Sequence, residues 1–247
     1  MDRMIYLATS GAKQAMGQQA TVAHNLANLS TNGFRGELSV FRAVPLTGAG
    51  ANTRTFVVDS TPGADFTPGP IQQTGRDLDV ALQGKGWIAV QGSDGKEAYT
   101  RSGSLQLNSN GVLQTRAGNA VLGDGGTIAI PADTLITVAG DGTVSTVPTG
   151  TRPAGNATVA RIKLVNPPEA DLERGADGLF RLRGGLVAQA DPKVKLASGA
   201  LEGSNVNPVE QMVSMISLAR QYDMHMKLLQ NAENNAKDAA QLLGLQG

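Results

Sequence analysis

His24 and His225 are the only imidazoles in 247 residues, and cysteine is absent. Disulfides, thiolate nucleophiles and Cys-ligated metal sites are thereby excluded, and a His-rich zinc or copper site has too few ligands. Both histidines fall beside helical seams, where an exposed surface position is the expected role. Gly84-Lys85-Gly86 runs into Trp87, so no hydroxyl follows the lysine to hold magnesium, and a phosphate-binding loop is missing. No G-x-S-x-G elbow occurs. Asp77, Asp79, Asp94 and Asp124 are the acids on which a glycosidase-like pair would draw. Most of them sit at turns or strand edges, where Asp is common for conformational reasons. No catalytic, cofactor-binding or metal-ligating set emerges, and a secreted β-rich hydrolase using an acid pair is left as the enzymatic alternative. The sequons Asn28-Leu29-Ser30 and Asn156-Ala157-Thr158 carry little weight, because the N-terminus lacks the pattern of a cleavable secretory leader.

Twenty-one basic and 21 acidic residues give a net charge of +0. The basic residues are scattered singly, which argues against a nucleic-acid partner held by phosphate contacts. No apolar run reaches the roughly 18 to 20 residues of a membrane span, so membrane insertion is not expected. There are 31 glycines, near one residue in eight against a usual value of about 7%. That excess points to a turn-rich β protein with an aliphatic core.

Three styles of sequence follow one another. In the first, residues 1–41, Ile5, Ala8, Ala12, Ala15, Val22, Leu26 and Leu29 keep a heptad rhythm, with Gln19 filling the missing position. The spacing predicts a helix over about residues 3–31, roughly 43 Å long at 1.5 Å per residue. Gly33 is the expected left-handed C′ residue, with Phe34 packing back on Leu29 in a Schellman end. A Pro/Gly-rich linker is expected over 42–75. Residues 76–200 alternate short apolar runs with Asp94-Gly95, Asn110-Gly111, Asp124-Gly125, Asp141-Gly142 and Asp177-Gly178, which are hairpin signals. They predict an antiparallel β domain.

Over residues 201–247, Asn207-Pro208-Val209-Glu210 reads as a capping box with Pro at the first helical position. The expected seam is Val209, Met212, Ile216 and Ala219, then, after an extra step of three, Tyr222, Met226 and Leu229, continuing to Leu243. The fold class is therefore mainly β with long terminal helices. An alanine-rich seam buries little area per residue. The helices therefore either fold back on their own β domain or wait for neighbouring subunits, and the sequence leaves both open.

The run His24-Asn25-Leu26-Ala27-Asn28-Leu29-Ser30-Thr31-Asn32-Gly33-Phe34-Arg35 resembles the signature of the bacterial flagellar rod, hook and hook-associated (axial) family. Asp77-Leu78-Asp79-Val80-Ala81-Leu82-Gln83-Gly84-Lys85-Gly86-Trp87 is similar to a second stretch of that family, and so is Tyr99-Thr100-Arg101-Ser102-Gly103. Leu201-Glu202-Gly203-Ser204-Asn205-Val206-Asn207-Pro208-Val209-Glu210-Gln211-Met212 and Met215-Ile216 through Arg220-Gln221-Tyr222 resemble its C-terminal signature. The opening Met1-Asp2-Arg3-Met4-Ile5-Tyr6, with Arg42-Ala43-Val44-Pro45 and Ser60 to Phe66, is similar to the proximal-rod branch, the distal-rod or hook branch being the alternative.

The resemblance implies a non-enzymatic structural subunit without cofactors. Its terminal helices would form the inner, coiled-coil-like layer of a helical tube, with β domains outside. It would leave the cell through the flagellar type III apparatus and reside in the periplasmic part of the basal body. Its partners would be copies of itself and other proximal- and distal-rod subunits, with rod-cap and export-apparatus proteins as further contacts. An assembly role would fall on Ile5, Leu26, Leu29, Val209, Met212, Ile216, Tyr222, Met226 and Leu229 along the seams. Asn25 and Asn28 would bond to a neighbour's backbone, while Gly33, Phe34, Asn205 and Asn207 would combine capping with contact.

Overall fold

The computed structural model describes residues 2–45, 55–132, 134–148 and 157–244. Residues 46–54 of the expected linker and Asn156 of the second sequon lie outside them, as does the Leu243 side chain. Two compact units emerge. The first comprises residues 1–29, 36–65 and 206–247, and the second 30–35 and 66–205.

The first unit contains α1 (Asp2–Ala27), α2 (Pro208–Gly244) and an antiparallel hairpin of β1 (Glu37–Pro45) and β2 (Thr55–Ala64). The helices run antiparallel, since Gly11 abuts His225 while Gln18 to Asn25 share a groove with Gln211 to Gln221. Of the predicted α1 row, Ala8, Ala12 and Ala15 are buried, Val22 and Leu26 are half-buried, and Ile5 is exposed.

On α2 the less exposed row is Gln211, Met215, Leu218, Tyr222, His225, Leu229 and Ala232, in regular steps of four and three. The expected seam is thus corrected over its first turns. Val209, Met212 and Ile216 are 68%, 52% and 56% exposed, and no extra step is needed. The reason is His225. Gly11 has no side chain, and a Cβ there would overlap the imidazole, so the ring fills the slot and sets the rotation of α2. The expectation of an exposed His225 is corrected with it.

Helix α1 ends at Ala27, short of the expected residue 31. The Asn28 side-chain amide donates to the His24 carbonyl at 2.9 Å, the same oxygen that the Asn28 N–H reaches. Such local bonding competes with helix continuation. The Schellman end is therefore corrected: Gly33 is left-handed at φ 68°, but its N–H donates to the Glu202 carbonyl at 2.7 Å. Asn207 does cap α2, its Oδ1 accepting from the Val209 and Glu210 N–H groups at 3.1 and 3.5 Å.

Part of the expected linker is also strand. Opposite Leu38 and Val40 the register jumps from Gly63 to Ser60, so Pro62 falls in a bulge where its missing N–H costs no ladder bond. Asn25, only 4% exposed, fastens this hairpin to α1. Its Nδ2 donates to the Glu37 carbonyl at 3.0 Å, and its Oδ1 accepts the Glu37 N–H at 2.8 Å.

The second unit is all β. It opens with β3 (Ile71–Gln73), β4 (Val80–Gln83), β5 (Trp87–Gln91), β6 (Glu97–Thr100), β7 (Leu105–Leu107) and β8 (Leu113–Thr115). It continues with β9 (Leu122–Gly123), β10 (Gly126–Thr127), β11 (Thr134–Val138), β12 (Thr143–Pro148) and β13 (Ala157–Arg161). It closes with β14 (Leu164–Val165), β15 (Leu172–Arg174), β16 (Phe180–Leu182), β17 (Lys195–Ser198) and β18 (Ala200–Glu202). The largest sheet has the order β14-β5-β6-β16-β15, and all its pairs are antiparallel. The five predicted Asp-Gly and Asn-Gly turns all separate paired strands. An aliphatic core around Val80, Ile88, Leu105, Leu113 and Ile162 joins them.

Tyr99 in β6 is fully buried, with its oxygen accepting the Ala188 N–H at 2.7 Å. Burial pushes its hydroxyl up to about 12 from an ordinary 10.0. The neutral phenol is the form that the fold holds. Its contribution is complete below the unfolded value and is lost as pH rises through the folded one. Ultraviolet titration should show a late phenolate step near 12 that Tyr99→Phe removes; an unchanged curve in the variant would refute this. Asn25→Ala should cost about 1–3 kcal/mol, because it strands the backbone N–H and C=O of Glu37. Urea unfolding and protease cleavage within 37–64 would show it, and wild-type resistance would argue against the Asn25 anchor.

Candidate assembly site

In the second unit one carboxylate collects three distant parts of the chain. Glu202 Oε1 pairs with Arg35 Nη2 at 2.7 Å, and Oε2 pairs with Arg101 Nη1 at 2.9 Å. Glu202 and Arg35 are each 1% exposed and Arg101 5%. Oε1 also accepts the Gly69 N–H at 3.0 Å. Gly33 passes so close to Arg101 that a Cβ would land on its backbone, so only glycine serves there. Arg101 Nη2 donates to the Gly84 carbonyl at 2.6 Å, and its guanidinium lies 5.5 Å from the centre of the Trp87 ring.

Four of the nine aromatic residues, Trp87, Phe180, Phe66 and Phe34, lie around this cluster. Trp87 and Phe180 have ring centres 4.6 Å apart, with Phe66 5.8 Å from Phe180. Arg174 stacks 4.5 Å over Phe34 and donates to the Arg35 carbonyl at 2.9 Å. Asn205 completes the tie. Its N–H donates to the Phe34 carbonyl at 3.3 Å, and its side-chain amide to the Thr67 carbonyl at 3.1 Å. Segments 30–35, 66–69 and 202–205, through which the chain enters and leaves this unit, are thus bonded to one another. Gly33, Phe34 and Asn205 are brought together here. Arg35, Arg101, Glu202 and Arg174 are functional candidates that local reading missed. The first three stand inside the motifs quoted above, but no period links partners 167 and 101 positions apart.

The remaining candidate residues lie in the first unit. Leu26, Leu29, Tyr222 and Leu229 are half-buried, whereas Ile5, Val209, Met212, Ile216 and Met226 are exposed. Val209, Met212, Val213 and Ile216 follow i, i+3, i+4, i+7 spacing and form one apolar stripe on the first two turns of α2. Tyr6, Leu7 and Met16 are also exposed on α1. Beside the stripe, an open groove of about 530 Å³ between α1, β1 and α2 is lined largely by Gln, Ser and Thr. Both polar ends of Asn25 are spent on Glu37 of its own chain, rather than on a neighbour.

The acids of the hydrolase alternative are dispersed in role. Asp79 is buried, accepts from the Thr74 hydroxyl and pairs with Arg76. Asp94 accepts the Lys96 N–H, which together with Arg181 lowers its pKa. Asp77 and Asp124 are exposed. Among the described residues no cluster of three His, Asp or Glu is placed to hold a metal, and no helix is long and apolar enough to cross a membrane.

Comparison with known sequences finds three family models along the chain. Residues 5–35 match the model of the family described as flagella basal body rod protein. Residues 81–146 match the flagellar hook protein FlgE/F/G D1 domain, and 197–242 the flagellar basal body rod FlgEFG protein C-terminal region. The flagellar basal-body rod protein FlgF of Salmonella typhimurium is 48% identical over 99% of this chain and 100% of its own length. FlgF of Escherichia coli K12 is 49% identical over the same shares. The flagellar basal-body rod protein FlgG of Bacillus subtilis is 28% identical over 98% of this chain and 99% of the relative. With near-complete coverage in both directions, the chain belongs to the flagellar basal-body rod protein family, as a structural protein of FlgF-like sequence.

Proposed function

We propose that this structural subunit of the flagellar proximal rod polymerises through its terminal helices, which bury their outer apolar faces against neighbouring rod subunits. The observation that carries this reading is the stripe of Val209, Met212, Val213 and Ile216, exposed by 52–68% on a helix whose inner row already packs on α1. Alanines let the two helices approach closely but supply little apolar area, so the outer faces hold most of the unspent driving force. A heterologous contact repeated about an axis gives an open, helical assembly. The stiff shaft so formed transmits torque between the motor and the distal rod and hook. Other rod and hook axial proteins are its neighbours, with rod-cap and export-apparatus proteins as transient partners. Export through the flagellar type III route to the periplasmic part of the basal body fits a chain without cysteine and with modest aromatic content.

Ile216→Asp places a charge in the proposed contact, at a cost of several kcal/mol on burial. The variant should be lost from purified basal bodies and abolish swimming while leaving the β unit folded, as judged by Trp87 fluorescence. Leu26→Asp should behave alike. Normal motility in either would count heavily against polymerisation through these helices. Electron microscopy of basal bodies from a strain lacking the gene should show rods that stop short. Complete, swimming flagella in that strain would remove the structural role.

A further inference from the structure

The ion cluster in the β unit is unbalanced: two guanidiniums share one carboxylate, and all three side chains are at least 95% buried. No other carboxylate among the described residues pairs directly with either arginine. Arg35 Nε and Nη1 and Arg101 Nε find no acceptor among those residues. Burial and the neighbouring Arg35 charge both depress the Arg101 pKa, while Glu202 and, less strongly, Glu169 oppose them; Glu169 itself pairs with Lys85 at 2.9 Å. Bare like charges in such a site would repel strongly, because the interior screens them poorly.

We propose that Glu202 is a charge latch. Its carboxylate offsets the repulsion between Arg35 and Arg101, so the β unit closes only when the stem before α2 has docked against the stem after α1. The chemistry is that of a counter-charge rather than a hydrogen-bond acceptor. Gly69, Arg35 and Arg101 all donate to Glu202, and an uncharged amide could accept some of those bonds without neutralising anything. The order of the partners along the chain gives the latch its consequence. Arg35 and Arg101 precede Glu202 by 167 and 101 positions. A chain emerging from its N-terminus therefore carries two uncompensated cations until its C-terminal part arrives. Strands β3 and β4, which pair with β18 and β17, also wait for that part of the chain. The latch belongs to the β unit alone and stands independently of polymerisation through the helices.

The test uses full-length variants and the single tryptophan, Trp87, as reporter. It is 4% exposed and lies beside Arg101. In urea unfolding followed by fluorescence, Glu202→Gln should shift the folding equilibrium at least about a hundredfold toward the unfolded chain. The triple variant Arg35→Met, Arg101→Met, Glu202→Met removes the charges together and should recover most of that loss, as uncharged replacements of buried ion clusters do. Should Glu202→Gln give no folded protein, the triple variant still decides the matter. Wild-type stability of Glu202→Gln would overturn the latch, and so would a triple variant no more stable than Glu202→Gln.

Discussion

Alanine and glycine at the seam between α1 and α2 constrain the rest of the first unit. Ala8, Ala12 and Ala15 let the helices approach closely, and Gly11 admits the His225 ring. Close approach comes with little apolar area. A seam of this kind holds two long helices together weakly, at roughly 25 cal/mol per Å² buried. The same rotation of α2 that docks His225 turns Val209, Met212 and Ile216 outward. A helix pair that is under-buried inside and apolar outside is incomplete as a monomer, and the proposed rod contact is what completes it.

The second unit is solved differently. Its aliphatic core is ordinary for an antiparallel β domain. Its distinctive part is the place where the chain enters and leaves, where Glu202 draws in Arg35, Arg101 and the Gly69 N–H. Trp87, Phe180, Phe66 and Phe34 wall this cluster, directly or through Arg174. Three of the segments quoted for the family resemblance, separate in sequence, each bring one charged member to it, and a fourth brings the Gly84 carbonyl and the Trp87 ring. Buried charges are costly and seldom add net stability, but they specify which groups must meet. Here they join the stem that follows α1 to the stem that precedes α2.

Much of this was readable from sequence because it rests on local physics. The five Asp-Gly and Asn-Gly turns, the aliphatic strands, the Asn207 cap and the α1 seam each depend on residues a few positions apart. The differences arise where distant groups decide. α1 stops early because Asn28 bonds back to His24 and Gly33 is drawn to Glu202. Pro62 is tolerated within a strand because the hairpin bulges at that point. The rotation of α2 follows from one glycine on another helix, which no periodicity within α2 reveals. The ion cluster lay inside quoted motifs, yet pairing across 167 positions leaves no trace in local pattern.

The chain's lack of cysteine allows a direct test of the central claim, that the outer face of α2 is buried on assembly. A single Met212→Cys substitution gives one thiol on the exposed stripe. Maleimide labelling would be compared between the free subunit and the same variant in purified basal bodies from motile cells. The account predicts rapid labelling of the free subunit and strong protection in the rod. Equal labelling in both would place this face in solvent after assembly and contradict it.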